Sequence, residues 1–367
     1  MDVPASGEGR PPLPVSPSRW QPLPMSKGRV IAIVVGLAVV VVTFVVVLPK
    51  IANYGDVWKV VQDLTWPQIG ALAAATAVNL VTFAPAWMIA LPGLGFWRAF
   101  AVTQASTAST YIAPGGAGVG FALSFAVLRT WGFSSSAIAL AGTLTSVWNQ
   151  LALFAFPVVA FGLLGLEQER DPVLQSVAVL GLVVFVLGAA AFAGVLATPH
   201  VARWVGGYAT RVVNWALARI RRGPVGWGAE SFVRFRNDAI GLLRRRWHLL
   251  TLATLAGQLS VFVVFLVCLR VTHVSSTQVD WIEAFAAWSL ARLLGSIPIT
   301  PGGIGVVEVG VTTALVGFGG NDTRVVAAVL LYRALTIVPT LVIGLAAGTT
   351  FRGPKKPKSA AARAPSG

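Results

Sequence analysis

From Ile31 to Leu48 the chain carries no charged residue, and only Gly36 and Thr43 interrupt its aliphatic and aromatic side chains. A run of that length matches the hydrocarbon core of a bilayer, which takes about 20 apolar residues in a helix. It is too long for the h-region of a typical signal peptide. No A-x-A-like cleavage site follows it, so it reads as an uncleaved first helix. Further apolar spans are expected at about 67–91, 136–166, 173–198, 248–270 and 322–350. Mean hydropathy is +0.76, and only 11% of the 367 residues are charged, where a soluble domain carries about a quarter. The expected fold class is an all-α polytopic membrane protein.

The formal net charge is +15. The basic residues lie between and beyond the apolar runs, which points to topology and anionic lipid head groups and not to nucleic acid. Arg19, Lys27 and Arg29 place the N-terminus in the cytoplasm. The segment 199–247 holds ten arginines against Glu230 and Asp238, and the C-terminal tail is basic, so both are expected on the same side. The acidic link Glu167, Glu169, Asp171 is expected outside. Within 199–247, Trp204, Val205, Tyr208, Val212, Trp215 and Ile220 recur at roughly helical spacing, which fits an amphipathic helix on the cytoplasmic leaflet. A solvated loop is the plainer alternative. Residues 1–28 and 352–367 read as disordered tails around a transmembrane domain at 29–351.

Two other apolar regions, about 98–130 and 281–319, are each split by Pro-Gly-Gly. Residues 109–120 read STYIAPGGAGVG, and residues 296–307 read SIPITPGGIGVV. Pro114 aligns with Pro301, Gly115 with Gly302, Gly116 with Gly303 and Gly118 with Gly305, all in one ungapped register of 301 minus 114, or 187 residues. The register implies a duplication, with repeat one at about 67–166 and repeat two at about 248–350. With six full crossings, the helix before the first motif runs inward and its counterpart runs outward, so the halves are expected to be inverted. Inverted repeats with broken helices are a known build for transporters, with the substrate site at the repeat interface. A broken backbone in lipid is tolerated only when buried in protein or lining a wet cavity. The two Pro-Gly-Gly segments are therefore expected at the tips of facing re-entrant hairpins. Ordinary tight loops between full helices would satisfy the same parity.

Arg292, Glu308 and Arg333 each lie within apolar sequence. A central arginine or aspartate costs about 2.5–3.5 kcal/mol on insertion scales, so such residues face a cavity or a partner. Glu308 is expected to pair with Arg292 or Arg333. That pair could simply lock helices together. Alternatively, one arginine keeps a face free for an anionic group, for which its planar fork is suited. In the first half the equivalent positions are Phe121, Ser146 and Ala105. Gln104 and Asn149 are its polar candidates, with helix-to-helix hydrogen bonding as the plainer role. Thr300 completes the candidate set beside the second motif. The lone Cys268 excludes an intramolecular disulfide, and no metal pattern, Walker motif or catalytic triad is present. No cofactor and no enzymatic activity are expected.

The PGGIGVVEVG segment, followed by the Tyr332-Arg333 pair, resembles the transmembrane domain of lysylphosphatidylglycerol synthases and its stand-alone flippase-like relatives. The resemblance covers about residues 29–350 and implies movement of lipids between leaflets of a bacterial plasma membrane. The synthase reaction belongs to a separate cytosolic domain, for which the chain has no room. Two other readings are carried beside the transporter. One is a membrane partner of an envelope-synthesis enzyme acting through 199–247, and the other is an intramembrane enzyme acting on lipid phosphates.

Overall fold

A computed structural model describes residues 54–112, 116–167, 172–219, 223, 228–296 and 301–350, and every regular element among them is helical. The apolar run at 31–48, both tails, and the site or tip residues Pro114, Gly115 and Thr300 lie outside the described residues.

A short amphipathic helix, α1 (Tyr54–Gln62), carries an exposed Lys59–Asp56 ion pair at 2.8 Å. It precedes a kinked span made of α2 (Trp66–Thr82) and α3 (Ala84–Ala90). The Thr65 N–H donates to Gln68 Oε1 at 2.8 Å, which satisfies one orphan donor at the start of α2. Pro67 and Pro85 sit in the first turns of α2 and α3, where a missing N–H costs little, and Pro85 breaks the ladder at Phe83. Then come α4 (Phe96–Ile112), α5 (Gly116–Thr130) and the long α6 (Ser135–Glu167). The middle of the chain forms α7 (Pro172–Ala197) and α8 (Pro199–Arg219). The second half forms α9 (Ala229–Val271), α10 (Trp281–Gly295), a 3-10 turn (Pro301–Gly303), α11 (Val306–Gly317) and α12 (Asp322–Thr350).

Among the described residues, four spans are long and apolar enough to cross a membrane: Trp66–Ala90, Ser135–Gly165, Glu230–Val271 and Asp322–Gly348. A fifth arises if α7 and α8, which meet at 102°, are taken as one bent span. These are spans of a multi-pass membrane protein. The arms around the two Pro-Gly-Gly motifs are shorter. At 1.5 Å per residue, α4 and α5 reach about 25 and 22 Å, and α10 and α11 about 22 and 18 Å, against a hydrocarbon core of about 30 Å.

The spans expected at 67–91, 136–166 and 322–350 match to within a residue or two, and the stretch expected at 173–198 is the helix α7. The one at 31–48 lies outside the described residues, and the one at 248–270 needs a correction. The basic stretch at 229–247 is no separate cytoplasmic element. It continues into the span expected at 248–270, giving a 43-residue helix. At about 65 Å, α9 is more than twice the hydrocarbon thickness, so its arginine-bearing N-terminal part projects from the apolar part. Those arginines are good helix formers, and two of them find acceptors on neighbouring helices. Arg236 Nη2 donates to the Ala197 carbonyl at 3.0 Å, and Arg246 Nη1 to the Ile89 carbonyl at 3.4 Å. Both acceptors are C-terminal carbonyls, the orphan groups that a cation near a helix end satisfies.

The order of elements recurs with the sequence register. Broken arm, Pro-Gly-Gly, short arm and long helix follow one another twice, and α6 begins at Ser135 where α12 begins at its counterpart Asp322. Packing exchanges the two sets. α4 lies along α12, while its counterpart α10 lies along α6. α2 crosses α9 beside them, tied by Asn79 Nδ2 donating to Ser260 Oγ at 3.0 Å. Aromatic rings fill the second-half core: Phe262 lies 5.0 Å from Phe285 and 5.4 Å from Trp288, and Phe156 of α6 lies 5.6 Å from Phe285. Such edge and tilted ring pairs add about 0.5–1.5 kcal/mol each beyond area burial.

Candidate functional site

The second Pro-Gly-Gly turns tightly enough that glycine is required. Gly302, Gly303 and Gly305 have φ of 62°, 65° and 93°. A Cβ on Gly303 would stand 2.9 Å from the Gly295 carbonyl, and one on Gly302 would run into the Tyr111 ring of α4. The turn thus brings α11 back along α10 while touching the other half. Just beyond it, Glu308 points inward and is 1% exposed. Its Oε2 accepts from the Gly305 N–H at 2.7 Å, within the first turn of α11, where the helix dipole favours an anion.

Glu308 Oε1 accepts from Arg333 Nε at 2.7 Å, and Arg333 is 7% exposed. Arg333 Nη2 donates to the Gly302 carbonyl at 3.1 Å. The carboxylate therefore takes one of the two arginines named from the sequence, and that arginine also fastens the turn. Arg292 pairs differently. Its Nη2 donates to the neutral Gln258 Oε1 at 2.6 Å, and its guanidinium lies 5.4 Å over the Trp288 ring. No carboxylate reaches Arg292 among the described residues. Gln258 Nε2 in turn donates to Asn149 Oδ1 at 3.1 Å, so Asn149 orients the arginine through Gln258 and does not itself reach the cavity.

Arg292 and Arg333 both line a cavity of about 190 Å³ between the halves. α2 and α4 supply Asn79, Thr103, Gln104, Thr107 and Tyr111, and α12 supplies Tyr332, Thr336 and Thr340. Gln104 bonds the Leu80 carbonyl at 2.8 Å, so it ties helices and also faces the cavity. Thr103 Oγ1 is buried with no hydrogen-bond partner among the described residues. An unmatched buried hydroxyl costs about 1–3 kcal/mol, so a water or a ligand oxygen is the natural complement. A water needs at least about 10–15 Å³ of such space, so the cavity holds several waters or a phosphate-sized group with fewer.

The named tip residues divide. Gly302, Gly303 and Gly305 form the turn beside the site, and Pro301 begins it. Gly116 starts α5 against Thr110, and Gly118 lies exposed on its first turn with open space around it. Sequence reasoning missed Tyr111, Gln258 and Asn79. Tyr111 follows Ser109 and Thr110 directly before the first motif, and its side chain reaches the other half's turn. Gln258 is a polar residue in the apolar part of α9, a signal of the kind that marked Gln104. The described residues include no His, Cys, Asp and Glu group able to hold a metal ion.

The lysylphosphatidylglycerol synthase TM region family model matches residues 31–344, and the chain belongs to that family. No curated protein matches the chain. The family ties this multi-pass membrane protein to lipid metabolism.

Proposed function

We propose that the chain is a flippase-like transporter that moves an anionic or zwitterionic lipid, or a lipid-linked intermediate, between membrane leaflets. One observation carries this reading: Arg333, paired with Glu308, and the half-buried Arg292, which no carboxylate reaches among the described residues, line one cavity between the halves. Arg333 is neutralised by Glu308. Among the described residues Arg292 has only a neutral amide and a ring as partners, so the cavity keeps one surplus positive charge for a head-group phosphate. Thr107 and Thr336 supply hydroxyls beside it.

The halves are inverted repeats in this reading, with six crossings and each short-armed pair entering and leaving on one side. Arms of about 18–25 Å fall short of a full crossing, which supports re-entrance. The exchange of α4 onto α12 and α10 onto α6 is what a two-fold relation between the halves would produce. In this reading both termini face the cytoplasmic side of a bacterial plasma membrane. Transport needs no covalent chemistry and no cofactor, and its substrates are membrane lipids.

The test is leaflet exchange in proteoliposomes holding fluorescent phosphatidylglycerol or phosphatidylcholine, read by quenching from outside. Wild type is expected to expose inner-leaflet probe, and R292Q to slow the exchange at least about tenfold, as loss of a charge-assisted phosphate contact implies. Exchange no faster than in protein-free vesicles for every lipid of an anionic and zwitterionic panel would overturn the proposal.

A further inference from the structure

α7 carries no charged residue from Pro172 to Ala197 and spans about 39 Å, so its apolar length is used up where it ends. There α8 departs at 102°, roughly across the direction of the span. One face of α8 is spent on α9. Ala202 is fully buried, and a Cβ on Gly206 would stand 2.7 Å from the Phe232 ring. The opposite face is open and aromatic: Trp204, Tyr208 and Trp215 are 65%, 58% and 62% exposed, with Val212 between them. Trp204 and Tyr208 stack at 6.2 Å.

Charge decides what covers that face. α8 holds Arg203, Arg211 and Arg219, all exposed, and no acidic residue. No ion pair involves them among the described residues. Arg211 lies 5.9 Å over the Tyr208 ring and Arg219 4.9 Å over the Trp215 ring, so the cations stand beside the aromatic stripe. Rings that favour the bilayer interface, flanked by uncompensated arginines at the end of a span, match an anionic lipid surface: rings at the acyl boundary and guanidiniums among phosphates.

We infer that α8 is an anionic-lipid anchor that lies on the leaflet at the C-terminal end of α7 and docks in proportion to that leaflet's negative charge. The docking is independent of the transport cavity, which α8 does not line.

The test places a nitroxide on V212C in a C268A background, with the full chain in nanodiscs of phosphatidylcholine alone or containing phosphatidylglycerol. Accessibility to oxygen against a water-soluble nickel complex reports depth. The label is expected to move from water to the acyl boundary when phosphatidylglycerol is added. R203Q/R211Q/R219Q is expected to abolish the shift, each arginine lost weakening docking about fivefold. Lysine at the same three positions is expected to restore it. A salt titration on the unmutated arginines gives the same readout without the triple variant, and high salt is expected to reverse the shift. A label equally water-exposed in both lipids would overturn the inference and leave the face for a protein partner. A label equally immersed in both, or indifferent to the glutamine variant, would overturn the charge dependence.

Discussion

Glu308 and Arg333 show what an intramembrane charge pair can and cannot do. Each is almost fully buried, and each also bonds the glycine turn. Breaking a buried pair from one side leaves an uncompensated charge and costs about 3–5 kcal/mol in soluble proteins. E308Q is expected to lower the melting temperature in detergent markedly, and adding R333M is expected to recover part of it, because the stranded cation is gone. R292Q is expected to leave the melting temperature nearly unchanged while lowering lipid exchange, since its partners are neutral. Thermal unfolding and exchange assays on the same preparations separate the two arginines. If R292Q instead melts like E308Q, Arg292 is structural. The sequence identified all three charges, because each is expensive in an apolar stretch. It left open which arginine Glu308 takes, because that depends on how α10, α11 and α12 face one another. Tyr111 was illegible for a similar reason. An aromatic next to a glycine motif reads as local packing, whereas its partner here is Gly302 of the opposite half.

At the scale of elements, the turns and the long helices behaved differently under sequence reading. Glycine at the second motif was legible because proline followed by glycines in an apolar run implies a broken backbone, and three positive φ values follow from it. G302A forces an alanine into left-handed backbone, at about 1–2 kcal/mol, and drives its methyl into the Tyr111 ring. The substitution is expected to destabilise, and to cost less in a Y111A background than in the wild type. Equal cost in both backgrounds, read from thermal unfolding of the four proteins, would show that the ring does not rest on the turn. The extension of α9 through Arg244, Arg245 and Arg246 was not legible. Clustered arginines mark the edge of a span, but they do not end a helix. Here the carbonyls of Ile89 and Ala197 give two α9 arginines acceptors.

Among the described residues, two sets of helices in the same order exchange packing partners. The recurring order of elements was legible as one ungapped register around Pro-Gly-Gly. The exchange was not, since a register says which elements correspond and not which ones touch. Close approach of α12 to α4 makes the exchange testable. A Cβ on Gly344 would stand 2.5 Å from the Gln104 carbonyl and 2.6 Å from Ala108 Cβ, whereas Gly348 on the same helix faces open space. G344A is expected to destabilise by more than about 1 kcal/mol and G348A to stay within about 0.5 kcal/mol of the wild type. Matching melting temperatures for the two variants would place the crossing elsewhere.

The proposed inversion of the halves is the claim on which the transport site depends, and it has a direct measurement. Single cysteines at Gly118 and Ile304, in a C268A background, are labelled with a membrane-impermeant thiol reagent from each side of intact cells and inverted vesicles. Inverted re-entrant halves predict slow labelling through an aqueous path, with G118C reached from the cytoplasm and I304C from outside. Fast labelling with G118C outside and I304C in the cytoplasm would make each motif a surface loop between full crossings. Labelling of both from one side would make the halves parallel. Either result would contradict the transport account.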